Sequence, residues 1–195
     1  MNNYGWPFWA KGPNATCNPD DAVAVIIGGN PSSSPGKPFE DYYDGTIFNT
    51  AKFEQDRPNP SRTRQRIYEL GEVLRRLFPE GVFINTNAFG AVSKRDKGLK
   101  DKTPNNLEWI FDMLGKVVVI THGRHGQKAY EALRAKRPEL PEAISSVHLS
   151  GLGAGAGVSF TSEFEKLKEK LIEALEVLKV VEHHELHTDN GEYDF

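Results

Sequence analysis

Three short apolar runs, Val23–Ile27, Val82–Ile84 and Val117–Ile120, and a fourth stretch, Ile144–Val147, apolar at its two ends, limit what this chain can fold into. Each is too short for a helix and rich in β-branched residues, which predicts strands buried in a sheet covered on both faces. Helical patterns alternate with them. Behind Ser61 as N-cap, Ile67, Leu70, Leu74 and Leu77 recur at helical spacing to about Phe78. Thr103 as cap and Pro104 at the first helical position open a second helix with Leu107, Ile110, Phe111 and Leu114 on one face, closed by Gly115. A third helix is expected from about Arg124 to Ala135. The last one carries Phe164, Leu167, Leu171, Leu175 and Leu178 on its buried face, with Ser162 and Glu165 as a capping box. Strand and helix thus alternate four times, which predicts the α/β class: a three-layer αβα sandwich around a mainly parallel four-stranded sheet.

The chain has 195 residues, enough to bury a full core as a single domain over 1–195. Residues 1–21, with Trp6, Phe8 and Trp9 among Gly, Pro and Asn, are expected to form an irregular arm. Residues 22–181 make the α/β core, and 182–195 a polar, frayed tail. Its 38% apolar and 26% charged residues are ordinary for a soluble protein. One cysteine, Cys17, excludes an internal disulfide. No basic stretch is followed by an apolar h-region, and no apolar run approaches the ~20 residues of a membrane span, so a cytoplasmic protein with no membrane partner is expected. Nothing implies an oligomer, and a monomer is expected.

The polar residues at the strand ends carry the functional signal. The first run stops at Gly28-Gly29 and passes into Asn30-Pro31-Ser32 and a long loop over 29–60. The others end in Asn85-Thr86-Asn87, Thr121-His122-Gly123 and His148-Leu149-Ser150, the last followed by a glycine-rich loop over 151–157. Parallel strands put their carboxyl ends on one rim, where ligands of open α/β sheets bind. Asn30, Asn85, His122 and His148 are therefore expected to converge. Amides and an imidazole offer donors and acceptors suited to the edge of a neutral heterocycle such as a nucleobase.

The net charge of −3 argues against a protein that coats nucleic acid, but two basic clusters stand out. Arg62, Arg64, Arg66, Arg75 and Arg76 lie on a helix and are expected to be a solvated face. Lys94, Arg95, Lys97, Lys100 and Lys102 crowd into one loop.

The order of these strand ends resembles the uracil-DNA glycosylase superfamily. Gly28-Gly29-Asn30-Pro31 resembles its first motif, a strand ending in Gly-x-(Asp or Asn)-Pro, and is closest to the mismatch-specific or single-strand-selective types with asparagine. Val82-Phe83-Ile84-Asn85 resembles the strand whose asparagine reads the uracil edge. Val117–Gly123 is similar to the strand ending in Trp-Gly, and His148-Leu149-Ser150 to the His-Pro-Ser signature, with Leu149 at the proline position. The resemblance runs from about Ala22 to Leu178. It implies a DNA base-excision enzyme that flips out uracil or a related damaged pyrimidine and hydrolyses its N-glycosidic bond with no metal and no cofactor.

By the same resemblance, two residues would be catalytic: Asn30 would hold the hydrolytic water, and His148 would donate to the uracil oxygen as charge builds on the departing base. Gly28, Gly29, Pro31, Ser32, Phe39, Asn85 and Ser150 would form the base pocket, with Phe39 stacking on the base and Tyr43 in reserve. Ser32 is small where strictly uracil-specific members carry a tyrosine. Lys94, Arg95 and Lys97 would touch DNA phosphates, and Leu152 would wedge into the space the base leaves.

Blander and rival readings run beside these. Asn30 and Asn85 are also common turn formers, His148 could be a core histidine, and His122 and His125 could be structural or phosphate-touching. His183, His184 and His187 have metal-ligand spacing but sit in a charged tail without partner cysteines, so a solvated tail is expected and no metal site. Ser150 is not in a Gly-x-Ser-x-Gly elbow, which speaks against a serine hydrolase. One alternative is a non-catalytic nucleic-acid-binding protein of the same fold; DNA affinity without turnover would mark it. The other is an enzyme acting on free nucleotides, marked by mononucleotide affinity without salt-steep DNA binding.

Overall fold

A computed structural model describes residues 22–29, 42–44, 47–48, 50–79, 81–88, 107–151 and 160–188. Along the chain these form β1 (Ala22–Gly28), β2 (Tyr43–Asp44), β3 (Ile47–Phe48), α1 (Thr50–Asp56), α2 (Arg62–Leu77), β4 (Val82–Asn87), α3 (Leu107–Met113), β5 (Val118–His122), α4 (Gly123–Lys136), β6 (Ala143–Ser146) and α5 (Phe160–Thr188). Four strands make one sheet in the order β4-β1-β5-β6, all parallel. β2 and β3 pair as a separate antiparallel ribbon.

Every residue of β1 is buried, as a central strand covered on both sides requires. Val25, Ile27, Ile84 and Val119 point to one face and meet Ile110 and Phe111 of α3 and Tyr130 and Leu133 of α4. Ala24, Ile26, Phe83 and Ile120 point to the other and meet Leu70 and Leu74 of α2 and Leu167, Leu171 and Leu175 of α5. These two cores make the three layers. Each fully buried aliphatic side chain contributes ~1.5–3 kcal/mol, so the sandwich is held chiefly by these two apolar seams.

From β1 the chain moves to β4 on one side, then crosses back to β5 on the other. The carboxyl ends of β1 and β5 therefore flank a topological switch point, the position where such sheets open a crevice. The N-terminal end of α4 closes on it. A Cβ at Gly126 would lie 2.7 Å from the Ile27 carbonyl oxygen, so only glycine lets the helix approach this closely.

Four expectations are corrected. The 29–60 segment is not one long loop: it holds the β2–β3 ribbon and α1, anchored by Phe53, which is buried and packs edge-on against buried Tyr42. The cap reading at Ser61 matches the structure, since its hydroxyl accepts the Arg64 N–H at 3.3 Å. At Ser162 it does not: α5 begins at Phe160 and Ser162 lies exposed in its first turn, where a polar residue costs no packing. The tail expected from Glu182 continues α5 to Thr188, because no Gly or Pro interrupts the helix formers before Asn190-Gly191. Arg64, expected in a solvated face, is buried, its guanidinium donating to the Arg57 carbonyl and lying 5.4 Å from the Phe53 ring centroid.

Among the described residues no helix is long and apolar enough to cross a membrane, and no group of His, Cys, Asp or Glu is placed to hold a metal ion.

Candidate active site

Register puts four residues in one row across the carboxyl edge of the sheet. Asn87 lies opposite Gly28, Thr121 opposite Ile27, and His122 opposite Ser146, so Asn87, Gly28, His122 and Ser146 stand level. Side chains alternate along a strand, and Phe83, Ile26 and Ile120 point into the α2/α5 core. Counting in twos from these, Asn85, Asn87, Gly28 and His122 share that face. Asn85, opposite Ile26, sits two residues or about 6.6 Å below the rim and is buried.

Gly28 is the gap in this row. A Cβ there would lie 3.0 Å from Asn87 Oδ1 and 3.0 Å from His122 Nε2. An amide oxygen and an imidazole nitrogen thus lean toward one point from opposite sides. Gly29 follows at the mouth, where a Cβ would meet the Cβ of His125 at 2.9 Å.

His148 arrives over this row from a tight turn. Gln127 of α4 donates to the Ser146 carbonyl at 2.7 Å and pins the end of β6. Leu149 is fully buried in the α2/α5 core and anchors the turn, while the Gly151 N–H donates to the His148 carbonyl at 2.8 Å with Gly151 at φ +81°. At Nδ1 of the imidazole the Ser150 backbone N–H donates at 3.2 Å, and Ser150 Oγ lies 2.7 Å from the same atom. A backbone N–H can only donate, so Nδ1 presents its lone pair and the ring proton of the neutral form resides on Nε2. His148 is thereby set as a hydrogen-bond donor through Nε2.

Beside it, His122 meets His148 edge to face, with ring centroids 5.2 Å apart and planes at 82°. His122 is buried, and its Nδ1 has no hydrogen-bond partner among the described residues. Burial, and secondarily the nearby His148, push its pKa down to about 3, so it is neutral at physiological pH. Gly123 completes the contact: it adopts φ +72°, and a Cβ on it would lie 3.0 Å from His148 Cδ2. On the opposite face of the sheet, Thr121 Oγ1 and Ser145 Oγ lie 3.1 Å apart and tie β5 to β6 below the site.

Of the residues expected to act, the structure brings His148 and Ser150 together, sets His122 against His148, and places Gly28 and Gly29 at the switch point with Asn85 beneath them. Asn30, Pro31, Ser32, Phe39, Lys94, Arg95, Lys97 and Leu152 lie outside the described residues, and Tyr43 is described only as backbone in β2. Asn87 was not singled out in sequence. Its signal was the two-residue alternation from buried Phe83, which puts Asn85 and Asn87 on one face with Asn87 nearer the rim. Among the described residues the row holds amides, imidazoles and a hydroxyl. Such a site can orient a neutral planar group and donate to an oxygen that gains negative charge.

No protein-family model matches the chain, and no curated protein does. Among solved structures, the chain is similar to the solution NMR structure of a putative uracil DNA glycosylase from Methanosarcina acetivorans, with a TM-score of 0.52 and 14% identity over 88% of this chain and 98% of that one. At that identity the likeness is one of fold.

Proposed function

We propose that this protein is a DNA glycosylase that hydrolyses the N-glycosidic bond of uracil or a related damaged pyrimidine flipped out of DNA. The observation that carries the reading is His148, fixed through Nδ1 by the Ser150 N–H so that Nε2 donates at the rim of the sheet. The fold shared with a protein described as a putative uracil DNA glycosylase supports it, as do the motifs from Gly28 to Pro31 and from His148 to Ser150.

In this reading the bond between the sugar C1′ and the base nitrogen breaks, and its electron pair leaves with the base. Negative charge spreads onto the pyrimidine oxygen, where the His148 Nε2–H is already aimed. A preorganised donor of this kind stabilises the transition state more than the bound substrate. Asn30 holds the water that adds to C1′. Asn85 reads the base edge, Phe39 stacks on the ring, and Pro31 and Ser32 shape the pocket with Gly28 and Gly29. Ser32 leaves room for a 5-substituent. Lys94, Arg95 and Lys97 contact phosphates, and Leu152 fills the gap in the helix.

The test is incubation of a labelled uracil-containing oligonucleotide, single- or double-stranded, followed by alkaline cleavage of abasic sites. The reading expects a shorter product from uracil and none from an undamaged control. Asparagine rather than a carboxylate at position 30 also favours a second reading, recognition of the flipped base without hydrolysis. Retained, uracil-preferring DNA binding with no shorter product would select it.

A further inference from the structure

The cations of α4 and its C-cap fall into two groups. At the far end, Arg134, Lys136 and Arg137 are tied to acids: Arg134 to Glu142 at 3.8 Å, Lys136 to Glu108 at 2.8 Å, and Arg137 to Asp112 at 2.7 Å and Glu139 at 2.9 Å. At the start, Arg124 and Lys128 are exposed, and among the described residues their side chains have no hydrogen-bond or ion-pair partner. They stand four residues apart, so they share one face of the helix. The first turn holds no acid, and the first acid of the helix is Glu131. A helix start already carries partial positive charge from its unpaired N–H groups, so acids are favoured there and cations are not. This end of α4 therefore presents positive charge that the protein does not neutralise.

The place of this charge is set by the chain. α4 follows directly on β5, so it starts at the carboxyl edge of the sheet. Its first turn closes on the switch point, with glycine at 29 and 126, where a Cβ would meet the His125 Cβ at 2.9 Å and the Ile27 carbonyl oxygen at 2.7 Å. α4 covers the face of Ile27 and Val119, whereas Asn85, Asn87 and His122 belong to the opposite face, under α2 and α5. We infer that Arg124 and Lys128 form a phosphate-binding surface: they hold the DNA backbone on the α4 side of the crevice while the flipped base enters on the α2/α5 side. The inference rests on the glycosylase reading for the identity of the polyanion. A protein partner fits this surface poorly, because interfaces between proteins have apolar centres and none of the exposed large apolar residues among those described, Trp109, Ile172, Val177 and Val180, lies on α4. Phosphates ask only for exposed charge, and contacts of this kind position the strand without reading its sequence.

Two measurements on the full chain test this. The first is affinity for a fluorescent single-stranded oligonucleotide, with and without uracil, titrated at several salt concentrations. Arg124→Gln combined with Lys128→Gln should weaken binding of both oligonucleotides about equally. It should also flatten the slope of log affinity against log salt by about 0.7 per lost contact, ~1.4 for the pair. Arg134→Gln combined with Lys136→Gln removes the same charge from the far end of α4 and should leave the slope unchanged. The second measurement places neutral methylphosphonates one at a time on either side of the uracil. Wild type should lose affinity at one or two of these positions, and the Arg124, Lys128 variant should lose nothing further there. An unchanged slope in that variant overturns the inference, as does equal flattening in the far-end variant or full sensitivity to every methylphosphonate that wild type senses. Flattening in the expected variant alone, with wild type unable to excise uracil, overturns the glycosylase reading and leaves the phosphate surface standing. A wild-type protein that binds neither oligonucleotide at any salt concentration overturns both.

Discussion

The Ser150 backbone N–H meets Nδ1 of His148 at 3.2 Å, and Ser150 Oγ stands 2.7 Å from the same nitrogen. The backbone donor, which no substitution but proline removes, is what assigns the imidazole proton to Nε2. Ser150→Ala deletes only the hydroxyl, whose net hydrogen bond is worth ~0.5–1.5 kcal/mol. Single-turnover excision by this variant should fall no more than roughly tenfold. A loss as deep as that of His148→Ala would mean that the hydroxyl, and not the backbone, sets the donor.

The neighbour of that donor gives the protein a specific acid sensitivity. His122 has its pKa pushed down to about 3 by burial, whereas in the unfolded chain it takes up a proton near 6.5. Between these values the unfolded state binds more protons than the folded one, so stability falls as the pH drops from about 6.5 toward 3, by up to ~1.4 kcal/mol per pH unit. His122→Phe lacks this proton uptake. Urea denaturation from pH 7.5 down to pH 4 should show the gap in favour of the phenylalanine variant widening as the pH falls. Parallel curves would mean that His122 titrates normally.

Gly123 should be intolerant of a side chain for two reasons at once. At φ +72° an L-residue is strained by roughly 1–2 kcal/mol, and the added Cβ would press on His148 Cδ2 from 3.0 Å. Gly123→Ala should therefore lower Tm and, separately, reduce turnover more than the stability loss explains, because the His148 ring must shift. A variant that loses stability but excises uracil at the wild-type rate would separate the turn from the site.

Lys94, Arg95 and Lys97 are proposed phosphate contacts. Replacing all three by alanine should weaken DNA binding about equally across sequences, and flatten the slope of log affinity against log salt by about 0.7–0.9 per lost contact. An unchanged slope would make that loop an ordinary solvated surface.

The layers of this fold were legible because burial on both faces leaves a plain mark: the β-branched runs Val23–Ile27 and Val117–Ile120 point to inner strands, and β1 and β5 are buried throughout. Helix faces were equally clear where aliphatic side chains recur, as at Leu167, Leu171 and Leu175. Boundaries were harder. A serine at position 159 precedes Phe160 just as Ser162 precedes Glu163, and local capping chemistry does not choose between them. The end of α5 is harder to see: the polar run from Glu182 suggests fraying, yet Glu182 to Leu186 are adequate helix formers and the helix continues to Thr188. Within the site, the sequence pointed to the strand ends but not to their levels. That Asn87 rather than Asn85 stands beside Gly28 depends on register between β4 and β1, a long-range property that no local pattern carries. The contact between His122 and His148 likewise needs β5 and β6 to be neighbours.

The central claim is that His148 donates from Nε2 to the departing base, and the single-turnover excision rate of His148→Ala tests it most directly. Loss of one preorganised donor costs roughly a hundred- to a thousandfold, or ~2.7–4 kcal/mol, with DNA affinity little changed. The defect should shrink for a more acidic leaving base, which needs less help with its charge, while that of Asn30→Ala should persist. A His148→Ala protein that folds, binds DNA and excises uracil at the wild-type rate would contradict the assignment and leave His148 a structural histidine.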